Sequence, residues 1–381
     1  MVQASVDVAQ GDTELTKINM KKRLLLLNLM LSLALLGTQC TVKAPEEEAV
    51  KKSRSLVSEF VEKNKIPGLS VTVSKQGEVV WSEGFGFGDV EQQVKVDPSM
   101  TRFRIGSISK TLTATAIGLL LESNKVDVDL PVHHYVPSFP TKRWDVSIRQ
   151  LAGHIAGVRH YRNMEYLSAR RFTTVVDGLT IFQDDSLLFE PGTNYAYSSY
   201  GWNLISAALE TASGMKFLQF MDQNVFEPSK MSLTTPDYGE IITSYRTGFY
   251  ELSPDSVLQN APYVDNSYKW AGGGFLSTTE DLIRFGNVIL ANSLLKGETT
   301  ELLFTPQTIS GGKSTDYGLG WRKYEGNQGG EWYGHGGGSI GGTAIFVLSP
   351  KEDIVIAILT NLSNVSYGRL HFDVAENFTD G

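Results

Sequence analysis

The sequence predicts an α+β fold: an antiparallel sheet flanked by N- and C-terminal helices, with a mainly helical lobe inserted at about residues 105–265. Three observations predict it. Strand-like alternation occurs near both ends of the chain, where Leu69, Val71 and Val73 interleave with Ser70, Thr72 and Ser74, and where Ile345 and Val347 precede Ile354, Ile356 and Ile358. Apolar residues at helical spacing lie outside both sets of strands. Between them, the strongest helical patterns follow Ser107 and Ser199.

Composition sets the outer limits. The 381 residues carry 34 Lys+Arg against 42 Asp+Glu, a net charge of −8, without a long basic cluster. That balance argues against a nucleic-acid partner. One cysteine excludes a disulfide framework and a zinc site built on several thiolates. The length suits one large domain or two modest ones with a substantial core.

In chain order, the first expected element is an address. Residues 21–23 are Lys-Lys-Arg, and 24–36 are apolar apart from Asn28 and Ser32. A basic start and a 13-residue apolar run read as a secretory signal over 1–40, with Met20 as the expected initiator. As a helix such a run rises about 20 Å, short of the roughly 30 Å hydrocarbon core. Cys40 sits where a bacterial lipoprotein signal places its lipidated residue, although Gly37-Thr38-Gln39 departs from the usual Leu-small-small run. The expectation is an exported protein, periplasmic or membrane-attached through Cys40, with 41–48 as a tether and the folded domain over 49–381.

The next pattern is a helix over 46–64, from Val50, Val57, Phe60 and Val61. A hairpin with one buried face follows, turning at Gln76-Gly77. The run Gly84-Phe85-Gly86-Phe87-Gly88 is not followed by a helical pattern, so it reads as an inter-strand turn rather than a nucleotide loop. Beyond the lobe, 350–353 turns the second pair of strands, and a closing helix is expected over about 367–378.

Three Ser-x-x-Lys matches occur, so the bare pattern decides little. Ser310 lies in Ser-Gly-Gly-Lys313, a loop, and Ser293 ends a helical stretch before Lys296-Gly297. Ser107 opens a helix marked by Leu112, Ile117, Leu120 and Leu121, and Lys110 lies one turn along on the same face. A helix start also offers free N–H groups to a developing oxyanion. The Gly337-Gly338-Ser339-Ile340-Gly341 stretch matches a nucleophile elbow, but strand-like residues follow it where an elbow needs a helix. It reads instead as a strand whose backbone comes close to a ligand, with His335 beside it. The histidines form no metal pattern, and no metal or cofactor is implied.

The order of these segments resembles the serine β-lactamase and penicillin-binding-protein superfamily. The carriers are Phe103 to Lys110, then Phe189-Glu190-Pro191-Gly192 leading to Tyr197-Ser198-Ser199, then His335-Gly336-Gly337. They look like the branch of class C β-lactamases, D-peptidases and family VIII esterases. Gly157-Val158-Arg159-His160-Tyr161 and Lys269-Trp270-Ala271-Gly272-Gly273-Gly274 are further similar to the mitochondrial β-lactamase-like serine proteins, LACTB.

The resemblance implies a β-lactamase/transpeptidase-like fold and a serine hydrolase working on a small-molecule or peptide substrate through a Ser107 acyl-enzyme. Lys110 and Tyr197 would be its acid/base groups, with the order of their roles open. The backbone N–H groups of Ser107 and Gly338 would form the oxyanion hole. Ser199, His335, Gly336 and Gly337 would bind substrate. Two departures stand out: Ser199 replaces the usual Asn, and Gly336 replaces a Thr or Ser that offers a hydroxyl to a substrate carboxylate. Both weaken the case for a penicillin-recognising β-lactamase or D-Ala-D-Ala carboxypeptidase relative to a peptidase or esterase. The filament assembly associated with LACTB-type proteins implies a third reading, a scaffold with a vestigial site.

Overall fold

The computed structural model describes residues 44–379. The expected signal over 1–40, with Met20 and Cys40, lies outside them, as do residues 41–43 of the tether. Residues 44–48 of the expected tether are helical. Helix α1 is Ala44–Lys63, with Glu46 and Glu47 in its first turn, where the helix dipole favours acidic groups.

Both ends of the chain meet in one sheet. Strands β1 (Gly68–Lys75), β2 (Glu78–Asp89) and β3 (Val94–Lys95) come from the N-terminal side. Strands β4 (Arg322–Glu325), β5 (Glu331–Ser339), β6 (Gly342–Ser349) and β7 (Ile354–Thr360) come from the C-terminal side. The order across the seven strands is β3-β2-β1-β7-β6-β5-β4, and neighbouring strands are antiparallel. β1 and β7 meet at the centre with Val71 opposite Ile358. The Gly84 to Gly88 stretch is the second half of β2 rather than a turn, because Phe85 and Phe87 keep a strand's period of two and Leu69 pairs with Phe85.

The β1–β2 hairpin is buried more deeply than its alternation suggests. Leu69, Val71 and Val73 pack in one cluster with Val57, Phe372 and Val374, so α1 and the closing helix α5 (Leu370–Glu376) cover that face. Ser70, Thr72 and Ser74 are buried on the other face. Their hydroxyls are satisfied there: Ser70 and Thr72 meet Thr279 at 2.7 and 2.8 Å, and Ser74 donates to Asn287 at 2.7 Å. Paired hydroxyls remove the main cost of burying a polar face. Thr279 and Asn287 belong to α4 (Thr279–Leu290), which is capped by Thr278.

The lobe between β3 and β4 holds a second cluster, built around α2 (Ser109–Glu122) and α3 (Ser199–Ser213). α2 is buried nearly all round. Thr111, Thr113 and Thr115 tolerate this because each donates its hydroxyl back to a carbonyl three or four residues earlier. The lobe is less helical than expected. Between α2 and α3 the helical segments are short, such as Ile148–Ala152 and Val175–Leu179, and two-stranded pairings occur at Tyr250–Leu252 with Leu258–Asn260. No helix among the described residues is long and apolar enough to cross a membrane.

Candidate active site

The site begins where the sheet touches the lobe. Phe103–Arg104 pairs with Phe275–Ser277, a 3-10 turn spans Gly106–Ile108, and α2 starts at Ser109. Gly106 has φ +49, and a Cβ there would lie 2.6 Å from the Gly338 carbonyl oxygen and 2.7 Å from its nitrogen. A Cβ at Gly337 would lie 2.0 Å from the Ile105 carbonyl oxygen. Glycine at these points lets β5 press its backbone against the turn that carries Ser107. Arg104 holds the β5–β6 tip in place, donating to the Ile340 carbonyl at 2.7 Å while its guanidinium pairs with buried Asp237 at 2.7 Å.

Lys110 sits fully buried beneath Ser107. Its Nζ donates to Ser107 Oγ at 3.0 Å, to Ser199 Oγ at 3.2 Å and to the Gly272 carbonyl at 2.5 Å. None of these partners is a carboxylate. Burial therefore pushes the amine's pKa well below its usual value, and the charge of Lys269 adds to the effect. The Tyr197 hydroxyl is hydrogen-bonded to Ser107, yet burial outweighs this and holds the phenol's pKa above its ordinary value. The Lys110 ammonium also lies 4.9 Å from the centre of the Tyr197 ring.

Ser199 is positioned by the start of α3. Ser198 caps that helix through Gly201 N–H, and Ser199 N–H donates to His160 Nδ1 at 3.1 Å. His154 accepts from Ser198 N–H at 3.1 Å and packs 4.2 Å from the Tyr197 ring. Both imidazoles are kept neutral mainly by burial, His160 being pushed down to about 4. Neither histidine has a role in the sequence reading. The Gly157 to Tyr161 stretch was legible as a family resemblance, but its chemistry depends on where the loop lands.

The structure brings Ser107, Lys110, Tyr197 and Ser199 together, and Gly338 joins them. A cavity of about 550 Å³ is lined by Ser107, Ser199, Gly272, Lys269 and Gly338 among others. His335, Gly336 and Gly337 lie on β5 just before Gly338 and are not among the residues that line this cavity. The pleat of β5 explains this. Gly336 pairs with Ile345 on the α1/α5 face, whereas His335 pairs with Phe346 and turns into the lobe. There Tyr317 O–H donates to His335 Nε2 at 2.8 Å. Gly337 has no room for a side chain, because a Cβ there would meet the Ile105 carbonyl. Ser293 and Ser310 are exposed, as their loop contexts suggest. The elbow-like stretch is the tip between β5 and β6, with no helix after it.

Comparisons with known proteins identify the family. The family profile described as Beta-lactamase matches residues 54–376. The chain belongs to the β-lactamase family. Human "Serine beta-lactamase-like protein LACTB, mitochondrial" is 31% identical over 440 aligned positions, which cover 87% of this chain and 80% of that protein. "Penicillin-binding protein 4*" of Bacillus subtilis (strain 168) is 25% identical over 362 positions, 87% of this chain and 78% of its own. Among solved structures, the octameric penicillin-binding protein homologue from Pyrococcus abyssi superposes with a TM-score of 0.74 at 25% identity, covering 85% of this chain and 76% of that one. The D-amino acid amidase from Ochrobactrum anthropi SV3, complexed with D-phenylalanine, shares the fold with a TM-score of 0.74 at 19% identity, covering 87% and 96%. The expected fold class and superfamily hold, and the family is one of serine β-lactamase-like hydrolases.

Proposed function

We propose that this chain is a serine hydrolase that cleaves ester or amide bonds through a Ser107 acyl-enzyme. The observation that carries the reading is the buried Lys110 amine, 3.0 Å from Ser107 Oγ and without a carboxylate partner. A lysine whose pKa is depressed is an available base at neutral pH, whereas a phenol whose pKa is raised is not. Lys110 therefore takes the Ser107 proton as Oγ bonds to the substrate carbonyl carbon. The resulting oxyanion faces the N–H groups of Ser107 and Gly338, both at the cavity wall. Collapse breaks the bond to the leaving group, which receives the proton held by Lys110 through the Tyr197 hydroxyl. Water then adds to the acyl carbon, gives up its proton by the same route, and releases the acid and free Ser107.

The penicillin-recognising reading lacks one of its usual contacts. In class C β-lactamases a lysine stands where this chain has His335, and burial pushes His335 down to about 3, so that position on β5 carries no charge. Export with lipidation at Cys40 stays part of the proposal, supported by the basic start and the 24–36 run, and tested by fractionating a Cys40→Ala variant.

A fluorophosphonate probe tests the central claim, because it reacts with an activated serine. Wild type should label and Ser107→Ala should not, with hydrolysis falling on the order of 10⁶-fold. Ser293→Ala and Ser310→Ala should label normally. Absence of labelling in wild type would favour the scaffold reading and sink this one. Short-chain esters, D-amino-acid amides and a chromogenic cephalosporin, assayed side by side, then sort the substrate class.

A further inference from the structure

We infer that Lys269 is the anion-recognising residue of this cavity, and that the preferred substrates are esters or amides carrying a carboxylate. The inference rests on the hydrolase reading for its substrates, but the anion site stands on its own geometry. Lys269 closes the 3-10 turn Ser267–Lys269, and the next helical turn, Trp270–Gly273, carries the Gly272 carbonyl that anchors Lys110. The side chain is buried at 5% exposure, yet it lines the same cavity as Ser107, Ser199 and Gly338.

Among the described residues the Lys269 Nζ has no hydrogen bond or ion pair, while its backbone N–H donates to the Asn266 carbonyl at 3.1 Å. The rings of Tyr268 and Tyr161 have their centres 5.4 and 5.8 Å from Nζ. Aromatic faces attract an ammonium but accept no conventional hydrogen bond from it. Asp237 is the carboxylate whose charge reaches Lys269, and it is already engaged by Arg104 at 2.7 Å, Arg246 at 2.6 Å and Asn266 at 2.6 Å. Glu165 is likewise held by Arg159 and Tyr200.

A buried ammonium without an acceptor is costly unless something pairs with it. Lys269 faces the cavity that holds the nucleophile, and a bound carboxylate would complete its hydrogen bonds. Among the lining residues it is the one lysine or arginine. His335 cannot take this part, because its ring nitrogens are occupied by Tyr317 and the Gly336 carbonyl and it does not line the cavity. In this chain the cavity's cation therefore lies on the turn before Gly272 and not on β5. A volume of about 550 Å³ suits a small hemiester or a short peptide.

The test compares the hydrolysis of mono-p-nitrophenyl glutarate, an anionic ester, with that of p-nitrophenyl butyrate, a neutral one. Lys269→Met should lower the ratio of their kcat/KM values about 10- to 100-fold, and Lys269→Arg should restore most of it. Lys269→Met should also melt no lower than wild type, since it replaces an unpaired buried charge. An unchanged ratio, with both esters falling together, would mean that Lys269 acts through Lys110 or the fold, and the inference fails. A second arm needs no turnover: the Ser107→Ala protein is titrated with monomethyl glutarate and followed by the fluorescence of neighbouring Trp270. Saturable binding that disappears on adding Lys269→Met supports the anion site, and binding that is absent or indifferent to the change overturns it. Lys269-dependent binding in a protein that labels with no fluorophosphonate would remove the hydrolase reading and leave the anion site standing.

Discussion

Tyr317 O–H and His335 Nε2 are joined by a 2.8 Å hydrogen bond, while His335 Nδ1 meets the Gly336 carbonyl. A carbonyl accepts, so Nδ1 carries the ring proton and Nε2 must accept from the tyrosine. The tautomer assigned in this way is neutral, and both ring nitrogens are in use. Beside it, His154 packs 4.5 Å from the Tyr317 ring, and Tyr197 lies 6.0 Å from His335. His335 thus packs into the aromatic wall behind Tyr197.

Tyr317→Phe should therefore weaken the fold more than a surface change does. It leaves His335 Nε2 buried without a donor, a cost of about 1–3 kcal/mol. Urea unfolding of the purified variant measures this. A midpoint equal to wild type would show that the bond contributes nothing net.

The pH dependence of hydrolysis follows from Lys110. A base works when unprotonated, so kcat/KM should rise with pH through the Lys110 pKa and level off above it. Because burial and Lys269 depress that pKa, the rise should finish well below the pH at which an ordinary lysine titrates. Lys110→Met should abolish the rise along with the activity. A limb centred near 10 in wild type would contradict the assignment of Lys110 as base.

Gly106→Ala tests the contact between the turn and β5. A methyl group would strike the Gly338 backbone from a residue with φ +49, so the turn or the strand must move. The strain and displacement should cost about 1–3 kcal/mol, and fluorophosphonate labelling should fall sharply. Gly338→Ala is the control for folding alone, since no atom lies within 4 Å of a Cβ there. Comparable folding losses in both variants would show that the close approach at Gly106 is not what holds the site.

His371 predicts acid sensitivity remote from the cavity. Burial pushes it down to about 4, and neither ring nitrogen has a partner. Below the unfolded value near 6.5 the unfolded chain binds the proton first, so stability is complete above that pH and falls toward pH 4. By pH 4 the loss from this residue should reach up to about 3 kcal/mol at 1.36 kcal/mol per pH unit. His371→Phe should flatten this part of the curve, as read from denaturation midpoints at pH 7 and pH 4. An identical slope in the variant would assign the acid loss to His160 and His335 instead.

Much of the fold was legible because it is written in short-range pattern. Alternation located β1, β6 and β7, and apolar spacing located α1 and α2 to within a few residues. The Ser107–Lys110 pair was equally legible, since a separation of three residues at a helix start sets the two side chains on one face. Misreadings came where two local signals conflicted. Glycine suggested a turn at 84–88 where alternating phenylalanines make a strand, and serine and threonine on β1 suggested a solvated face that α4 in fact covers.

By itself, then, the sequence determined the sheet ends, the helix that follows Ser107 and the identity of its lysine partner. Each depends on residues a few positions apart, whose geometry the backbone dictates. Only the tertiary structure decided what surrounds them. Ser199 and Gly272 reach Lys110 across 89 and 162 residues of chain. His335 meets Tyr317 across 18 residues, and Lys269 arrives at the cavity without a side-chain acceptor. Whether a lysine is a base, a solvated charge or an anion site depends on its burial and its neighbours, and those are properties of packing that no local pattern encodes.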